Sequence, residues 1–330
     1  MKLETELNAA LTAAAAAAKV CQAVRERMVT PETLEKKDRS PVTVADYASQ
    51  AIVCATLAKM TPDIPVVAEE DAADLRQAEN QSVCDVVVEQ VRSTLGSDID
   101  VAGVIEWIDR GGHTPRGGRY WTLDPIDGTK GFLRAEQYAV ALGLIEDGKV
   151  VLGVLACPNL TVSRRIGALL YAAKGHGSFV TEIAEGAAGN RQQIHVSAER
   201  DTAKSRFCES VESGHSDQDL SVTIAQRLGI TLPPVRMDSQ CKYGVVADAQ
   251  AEIYLRLPTR ADYREKIWDH AAGAIVIEEA GGRVTDINGS DLDFSLGRTL
   301  DANRGVVATN GAIHDQVIEA VQAAMQSIPL

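Results

Sequence analysis

Residues 3–30 are dominated by alanine, with Lys19, Arg25, Glu26 and Arg27 gathered toward one side. That spacing predicts one long helix with a small-residue face turned inward. The polar stretch 31–39 reads as a loop or hairpin. A second helix follows over 47–60, with Asp46 near its N-terminus. Residues 64–68 read as a short strand and 80–95 as a helix. The segment 96–119 is rich in glycine, carries Arg110, Arg116 and Arg119, and reads as irregular chain, either a flap or a solvated insertion. Tyr120, Trp121 and Leu123 then mark the end of a buried strand. Apolar runs at 138–145 and 150–156 flank Asp147-Gly148, a hairpin signal, and 169–173 with 177–180 continue an antiparallel pattern. Beyond the Gly- and Asn-bearing stretch 181–193, strands and helices alternate. The strands are 207–209, 235–237, 251–257, 284–286 and 306–308; the helices are 217–228, 240–247, 268–280 and a last one from Ile313. The expected fold is therefore α+β with an α/β second half. A helix pair covers a mainly antiparallel sheet in a unit 1–190, and an α/β layer forms a unit 191–330.

Length and composition agree with a two-unit globular enzyme: 330 residues, 45% hydrophobic and 24% charged. A net charge of −13 argues against attachment to nucleic acid or to an anionic membrane. The same charge is unfavourable for a polyanionic ligand unless bound cations neutralise some of the acids. The six cysteines stand at least 30 residues apart with no CxxC pair, which reads as reduced core thiols. Glu4 and Glu6 make the alanine-rich start a better helix than a signal peptide, and no run of about 20 strongly apolar residues is expected to span a bilayer. The cytosol is the expected compartment, with organellar targeting left open. No HExxH, GxSxG or Walker pattern is present, so zinc-peptidase, serine-hydrolase and P-loop chemistry have no support.

The chemistry concentrates in Tyr120-Trp-Thr-Leu-Asp-Pro-Ile-Asp-Gly-Thr-Lys-Gly-Phe-Leu133. Pro125 removes an amide and should end the strand at Asp124, and Gly128 permits a tight turn. Asp124 and Asp127 can then converge as hard oxygen donors for a divalent ion. The amides of Gly128, Thr129 and Lys130 would open a helix, where an anion is favoured. Read alone, the pattern is also that of a capped turn with two solvated acids. Glu69-Glu70-Asp71, after a strand, reads either as a solvated turn or as acids held near cations. Asp46 reads as a helix cap. Trp268-Asp269 opens a small-residue helix closed by Gly281-Gly282, where Asp269 could do no more than complement the helix dipole.

Taken together, these stretches resemble a known family. Asp-Pro-Ile-Asp-Gly-Thr-Lys-Gly-Phe is similar to the central motif of the lithium-sensitive, metal-dependent phosphatases that include inositol monophosphatase. Its continuation to Arg134 most resembles their 3'(2'),5'-bisphosphate nucleotidase branch. The stretch from Trp268 to Asp286 resembles the family's second signature, and Ala68-Glu69-Glu70 stands where the family has Gly-Glu-Glu. The resemblance spans about 43–286. It implies a layered αβαβα sandwich. It also implies that Glu69, Asp124 and the Ile126 carbonyl hold one Mg²⁺, and that Asp124, Asp127 and Asp269 hold a second. A third, weaker ion would involve Glu69 and Asp46, and Mn²⁺ could substitute. Glu70 would support Glu69 or orient a water. Asp46 and Thr129 match an acid–hydroxyl pair that positions the attacking water and accepts its proton, while Gly128 and Thr129 cradle phosphate. Such ions clamp a phosphate monoester and acidify a water for in-line attack, and all-oxygen ligation suits Mg²⁺ or Mn²⁺ rather than Zn²⁺.

By the same resemblance, substrate contacts fall to Glu212 and His215, to Asp238, Ser239 and Lys242, to Arg256 and to Asp269. Lys242 and Arg256 would pair with the retained phosphate, Arg by a bidentate fork. The implied activity removes the 3'-phosphate of 3'-phosphoadenosine 5'-phosphate to give AMP, and also acts on the 5'-phosphosulfate analogue. A monomer acting on a small phosphorylated nucleotide, with no nucleic acid or membrane partner, is expected. The alternatives are an inositol polyphosphate 1-phosphatase and a catalytically silent nucleotide sensor.

Overall fold

Small side chains let the first two helices lie close together. In α1 (Glu4–Met28), Ala9, Ala10, Ala13, Ala14, Ala17 and Ala18 are buried against α2 (Ser40–Met60) and the sheet beneath. The structure, a computed structural model, describes residues 3–30, 33, 40–115, 117–211, 218–260 and 262–326. By length and hydropathy alone α1 could cross a membrane, contrary to the expectation that no stretch qualifies; 61% of its apolar window is instead buried within the protein. α2 begins at Ser40, not at Tyr47. Pro41 falls in its first turn, where a missing amide leaves no helical hydrogen bond unmade.

Strand β1 (Val66–Ala68) pairs in parallel with β2 (Arg119–Asp127). Then β3 (Ala139–Glu146), β4 (Lys149–Val162), β5 (Arg165–Ala173), β6 (Ser178–Glu182) and β7 (Gln192–Ile194) follow as an antiparallel meander, so the sheet has seven strands in chain order. The β3–β4 turn has φ +49° at Asp147 and +77° at Gly148, the paired positive values of a type I′ hairpin, as the sequence indicates. A second, mixed sheet holds β8 (Phe207–Glu209), β9 (Val235–Arg236), β10 (Ile253–Arg256), β11 (Arg283–Thr285) and β12 (Val306–Thr309), in the order β11-β12-β10-β8-β9.

Helices fill the layers. α3 (Gln81–Leu95) and α4 (Val101–Asp109) join α1 and α2 on the outer side, and α5 (Thr129–Leu133) is a single turn after β2. α7 (Cys241–Ala247) and α8 (Ala271–Glu279) lie between the two sheets, and α6 (Gln218–Leu228) with α9 (His314–Met325) covers the far face of the second. The result is an αβαβα stack whose central helices serve both sheets. α8 approaches closely because Gly153 lies beneath it: a Cβ there would sit 2.7 Å from the Ala272 carbonyl oxygen. α8 ends as its sequence predicts, with Gly281 at φ +96° donating to Glu278 and Gly282 to Ile277, the two bonds of a Schellman cap.

The segment 96–119 is neither flap nor irregular insertion. Asp100 caps α4 by accepting from the Gly103 amide at 2.8 Å. The following turn is fastened along the edge of β1, where the Ala68 amide donates to Gly111 O at 2.8 Å and that of His113 to Val66 O at 3.2 Å. Arg110 donates to Pro62 O and Arg119 pairs with Glu6, both away from the acids; Arg116 lies outside the described residues.

Candidate metal and phosphate site

The ends of β1 and β2 place the acids. Glu69 follows β1, with its amide donating to Leu123 O on β2. The β2–β3 ladder is regular to Asp124↔Ala141, breaks, and resumes at Asp127↔Ala139. Pro125 sits in that break, so the strand bulges at the proline and continues to Asp127, where the sequence suggested that it would end at Asp124. Gly128 then turns with φ +89°, and a Cβ on it would approach Ser239 Cβ to 2.8 Å. Here the DPIDGT loop meets the Asp238-Ser239-Gln240 turn, and no larger residue fits between them. α5 has only five residues, too short for a helix dipole to favour an anion as the sequence suggested.

A cavity of about 210 Å³ opens at this junction. Glu69, Asp124, Asp127 and Asp269 form its acid wall, together with Ile126, Gly128 and Thr129. Asp238, Ser239, Lys242 and Arg256 complete the lining, so eleven residues inferred from sequence, Asp269 in both proposed roles, meet in one space. Asp269 occupies a 3-10 turn, Ile267–Asp269, ahead of α8, not the first turn of that helix. Glu212 and His215 lie outside the described residues. A larger hollow, between the start of α1 and β5–β6, contains none of these groups.

The acids repel one another. Glu69 still opens onto the cavity, but the protein crowding it, followed by the charges of Asp269, Glu70 and Asp127, pushes its pKa up to about 8. Burial pushes Asp269 to about 6, helped by Asp127 and opposed by His270 and Arg256. Asp124 lies well above the carboxylate range through burial and then Glu69, Asp127 and Asp269. Its Oδ1 is buried with no hydrogen-bond partner. Four carboxylates that line one cavity, one with an orphaned oxygen, offer all-oxygen donors of the kind a hard divalent cation takes. The residues fit Mg²⁺.

α2 supports this wall from outside. Asp46, Ser49 and Gln50 stand at i, i+3 and i+4 on one face, all buried. Ser49 Oγ donates to Pro125 O at 2.9 Å. Gln50 Nε2 donates to Glu70 O at 2.7 Å and to Ile108 O at 2.8 Å, and Gln50 Oε1 accepts from the Glu70 amide at 3.1 Å. Asp46 is the seventh residue of its helix, so it is not a cap. It lies outside the cavity lining, but burial and the charges of Glu70 and Glu69 raise its pKa strongly. Glu70 is also raised, by burial and then by Asp71 and Asp74, and serves the acids through its backbone.

The cation wall, the part of the lining that carries Lys242 and Arg256, is held by internal partners. Gln240 donates its amide to Asp127 Oδ2 and its side chain to Trp268 O at 2.9 Å, and accepts from the Gly273 amide at 3.2 Å, so it binds both signatures together. Asp238 pairs with Arg134, the residue that closes the central motif. Lys242 Nζ lies 5.2 Å over the Tyr254 ring and 3.5 Å from Met237 O, and burial lowers its pKa. Arg256 Nε faces Glu265 at 3.3 Å. The Glu265 carboxylate also accepts from His270 Nε2 at 3.1 Å, and Tyr243 OH lies 2.7 Å from Nδ1 of the same ring. Burial acts to raise Glu265, but His270 and Arg256 outweigh it and hold the pKa low. Ser49, Gln50, Gln240, Glu265 and His270 were not singled out from sequence. The one available signal was polar residues at helical spacing in an otherwise apolar helix, as in Asp46-Tyr-Ala-Ser-Gln50.

The sequence model described as the Inositol monophosphatase family matches residues 2–326. Among curated relatives, 3'(2'),5'-bisphosphate nucleotidase of Oryza sativa is 44% identical over 342 residues, covering 97% of this chain and 94% of its own. The protein of that name from Emericella nidulans is 46% identical, covering 89% and 91%, and that from Schizosaccharomyces pombe is 41% identical, covering 100% and 98%. Among solved structures, the inositol monophosphatase from Anabaena superposes with a TM-score of 0.62 at 23% identity, covering 100% of this chain and 99% of that one. The one from Zymomonas mobilis reaches 0.64 at 18% identity, covering 99% of each. The layered fold, the convergent acids and the match along nearly the whole chain lead to one conclusion: this chain belongs to the inositol monophosphatase family.

Proposed function

We propose that this chain is a Mg²⁺-dependent 3'(2'),5'-bisphosphate nucleotidase that converts 3'-phosphoadenosine 5'-phosphate to AMP and phosphate, and also accepts the 5'-phosphosulfate analogue. The observation that carries this reading is that four carboxylates and the two cations Lys242 and Arg256 line one 210 Å³ cavity. The carboxylates suit cations that would hold the phosphate that is cleaved, and Lys242 and Arg256 suit the phosphate that is kept. The 41–46% identity to curated nucleotidases over nearly the full chain supports the choice of substrate class.

Glu69, Asp124, Asp127, Asp269 and the Ile126 carbonyl would hold two Mg²⁺, Asp46 and Glu69 would hold a third, and Mn²⁺ could substitute. When bound, Mg²⁺ supplies positive charge to the phosphate and acidity to the attacking water. Thr129 orients that water. α2 packs against α5, which begins at Thr129, so Asp46 stands on the helix beside it. From that place Asp46 would take the proton of the water. The amides of Gly128 and Thr129 receive phosphate oxygens, Ser239 shapes the floor, and Asp238 acts through Arg134. Glu212 and His215 complete the substrate contacts by resemblance. The protein acts as a cytosolic monomer on a free nucleotide, with no nucleic acid or membrane partner.

Phosphate release from 3'-phosphoadenosine 5'-phosphate, adenosine 3'-monophosphate and inositol 1,4-bisphosphate, with Mg²⁺ or EDTA, tests the reading. We expect turnover that requires Mg²⁺ and prefers the adenosine bisphosphate. Preference for the inositol ester would contradict the substrate, and turnover in EDTA would contradict the metal.

A further inference from the structure

Two of the cavity acids come from separate parts of the chain. Glu69 follows an edge strand of the first sheet, and Asp269 ends a short turn ahead of α8. One side chain spans both. Arg298 donates through its guanidinium to the carbonyl oxygen of Ala68, the residue before Glu69. The same guanidinium lies 4.7 Å over the indole of Trp268, the residue before Asp269. Its own carbonyl accepts from the Ile267 amide at 3.1 Å, within that same turn. The segment carrying Arg298 is fixed on both sides: the Leu300 amide donates to Glu265 O at 2.9 Å, and Tyr120 OH donates to Phe294 O at 2.7 Å. Phe294 and Leu300 share a small apolar cluster with Val67, Tyr120 and Trp268.

We propose that Arg298 is a positioning residue that sets the span between Glu69 and Asp269, and through that span the Mg²⁺ affinity of the site; the inference rests on the metal-binding reading above. A planar guanidinium can stack on an indole and donate in its own plane at once, and a lysine ammonium cannot do both in one fixed geometry. A bare cation near a cation site would weaken binding by repulsion. Arg298 therefore acts by geometry against its own charge, and the two effects have opposite signs.

Mg²⁺ titration by calorimetry of the metal-free protein separates them, using wild type, Arg298→Lys and Arg298→Met. Groups that orient metal ligands typically change affinity by about 10- to 100-fold. We expect both variants to bind Mg²⁺ at least about tenfold more weakly, and the Mg²⁺ needed for half-maximal activity to rise in parallel. KM for the nucleotide at saturating Mg²⁺ should stay unchanged. Affinities within about twofold of wild type, or tighter binding by Arg298→Met, would overturn the proposal and leave the metal site standing. Failure of both variants to fold would make Arg298 a core residue and overturn it too. A wild type with no saturable Mg²⁺ binding would overturn the metal reading itself, and the positioning role with it.

Discussion

The two walls of the cavity differ in how completely the protein satisfies them. The acid wall, at the ends of β1 and β2 and at Asp269, is left unsatisfied: its carboxylates raise one another's pKa, and Asp124 Oδ1 has no partner. The cation wall is settled internally. Arg256 has Glu265, Glu265 has His270, His270 has Tyr243, and Lys242 has the Tyr254 ring. A wall that repels itself waits for a ligand of opposite charge, whereas a wall already bonded holds its shape before one arrives. On the proposed function, metal binding and phosphate placement would be built by opposite means within one cavity.

The largest effect should come from breaking the acid wall. Asp124→Asn keeps the shape and removes the charge shared by the proposed ions, so kcat/KM should fall about a thousand-fold or more. At alkaline pH, where a buried Asp124 would be forced to ionise, the metal-free variant should melt higher than metal-free wild type, because that repelling charge is gone. Activity near that of wild type would end the metal assignment.

Breaking the cation wall should cost less and change stability in the other direction. Arg256→Ala leaves Glu265 short of a partner, so this variant should melt lower. It should lower kcat/KM for 3'-phosphoadenosine 5'-phosphate by roughly 10- to 100-fold, the loss of one charge-assisted contact, and spare adenosine 3'-monophosphate. Equal losses on both substrates would show that Arg256 does not read the second phosphate.

A smaller effect separates the walls without mutation. Li⁺ should inhibit by competing at the weaker Mg²⁺ position, a trait typical of this family. LiCl should reduce turnover several-fold where KCl at equal ionic strength does not, and more Mg²⁺ should restore it. Identical responses to the two salts would remove the acid wall as the point of action.

The acid wall was the more legible in sequence, because Asp124, Asp127 and Gly128 are adjacent and the chemistry needs that spacing. The geometry behind it was not. Val42, Thr43 and Val44 after Pro41 weakened the helical signal of 40–46, yet burial against α1 makes them helical and moves Asp46 to mid-helix. In 101–109 the apolar positions Val101, Val104, Ile105 and Ile108 have helical spacing behind the Asp100 cap, but Gly103 and the neighbouring glycines obscured it. Gln240 and Arg298 could not be found from sequence: their partners are backbone oxygens and remote carboxylates, and Ala68 stands 230 residues from Arg298. The order of the elements was readable almost throughout, because each carries its own periodicity. The bonds that stitch the two signatures together carry none.

The acid wall's unsatisfied state is tested most directly by thermal melting of the wild type across pH, with EDTA and with saturating Mg²⁺. Glu69 is raised from 4.5 to about 8 and Asp269 from 3.8 to about 6. Between those values the folded metal-free protein holds more protons than the unfolded chain, so its stability is fullest at the acid end and falls as pH rises. The account predicts that the EDTA curve declines from about pH 5 to 8, and that the gap to the Mg²⁺ curve widens over the same range as the ion replaces departing protons. A constant gap, or one that narrows toward pH 8, would contradict the claim that these carboxylates are assembled for a cation.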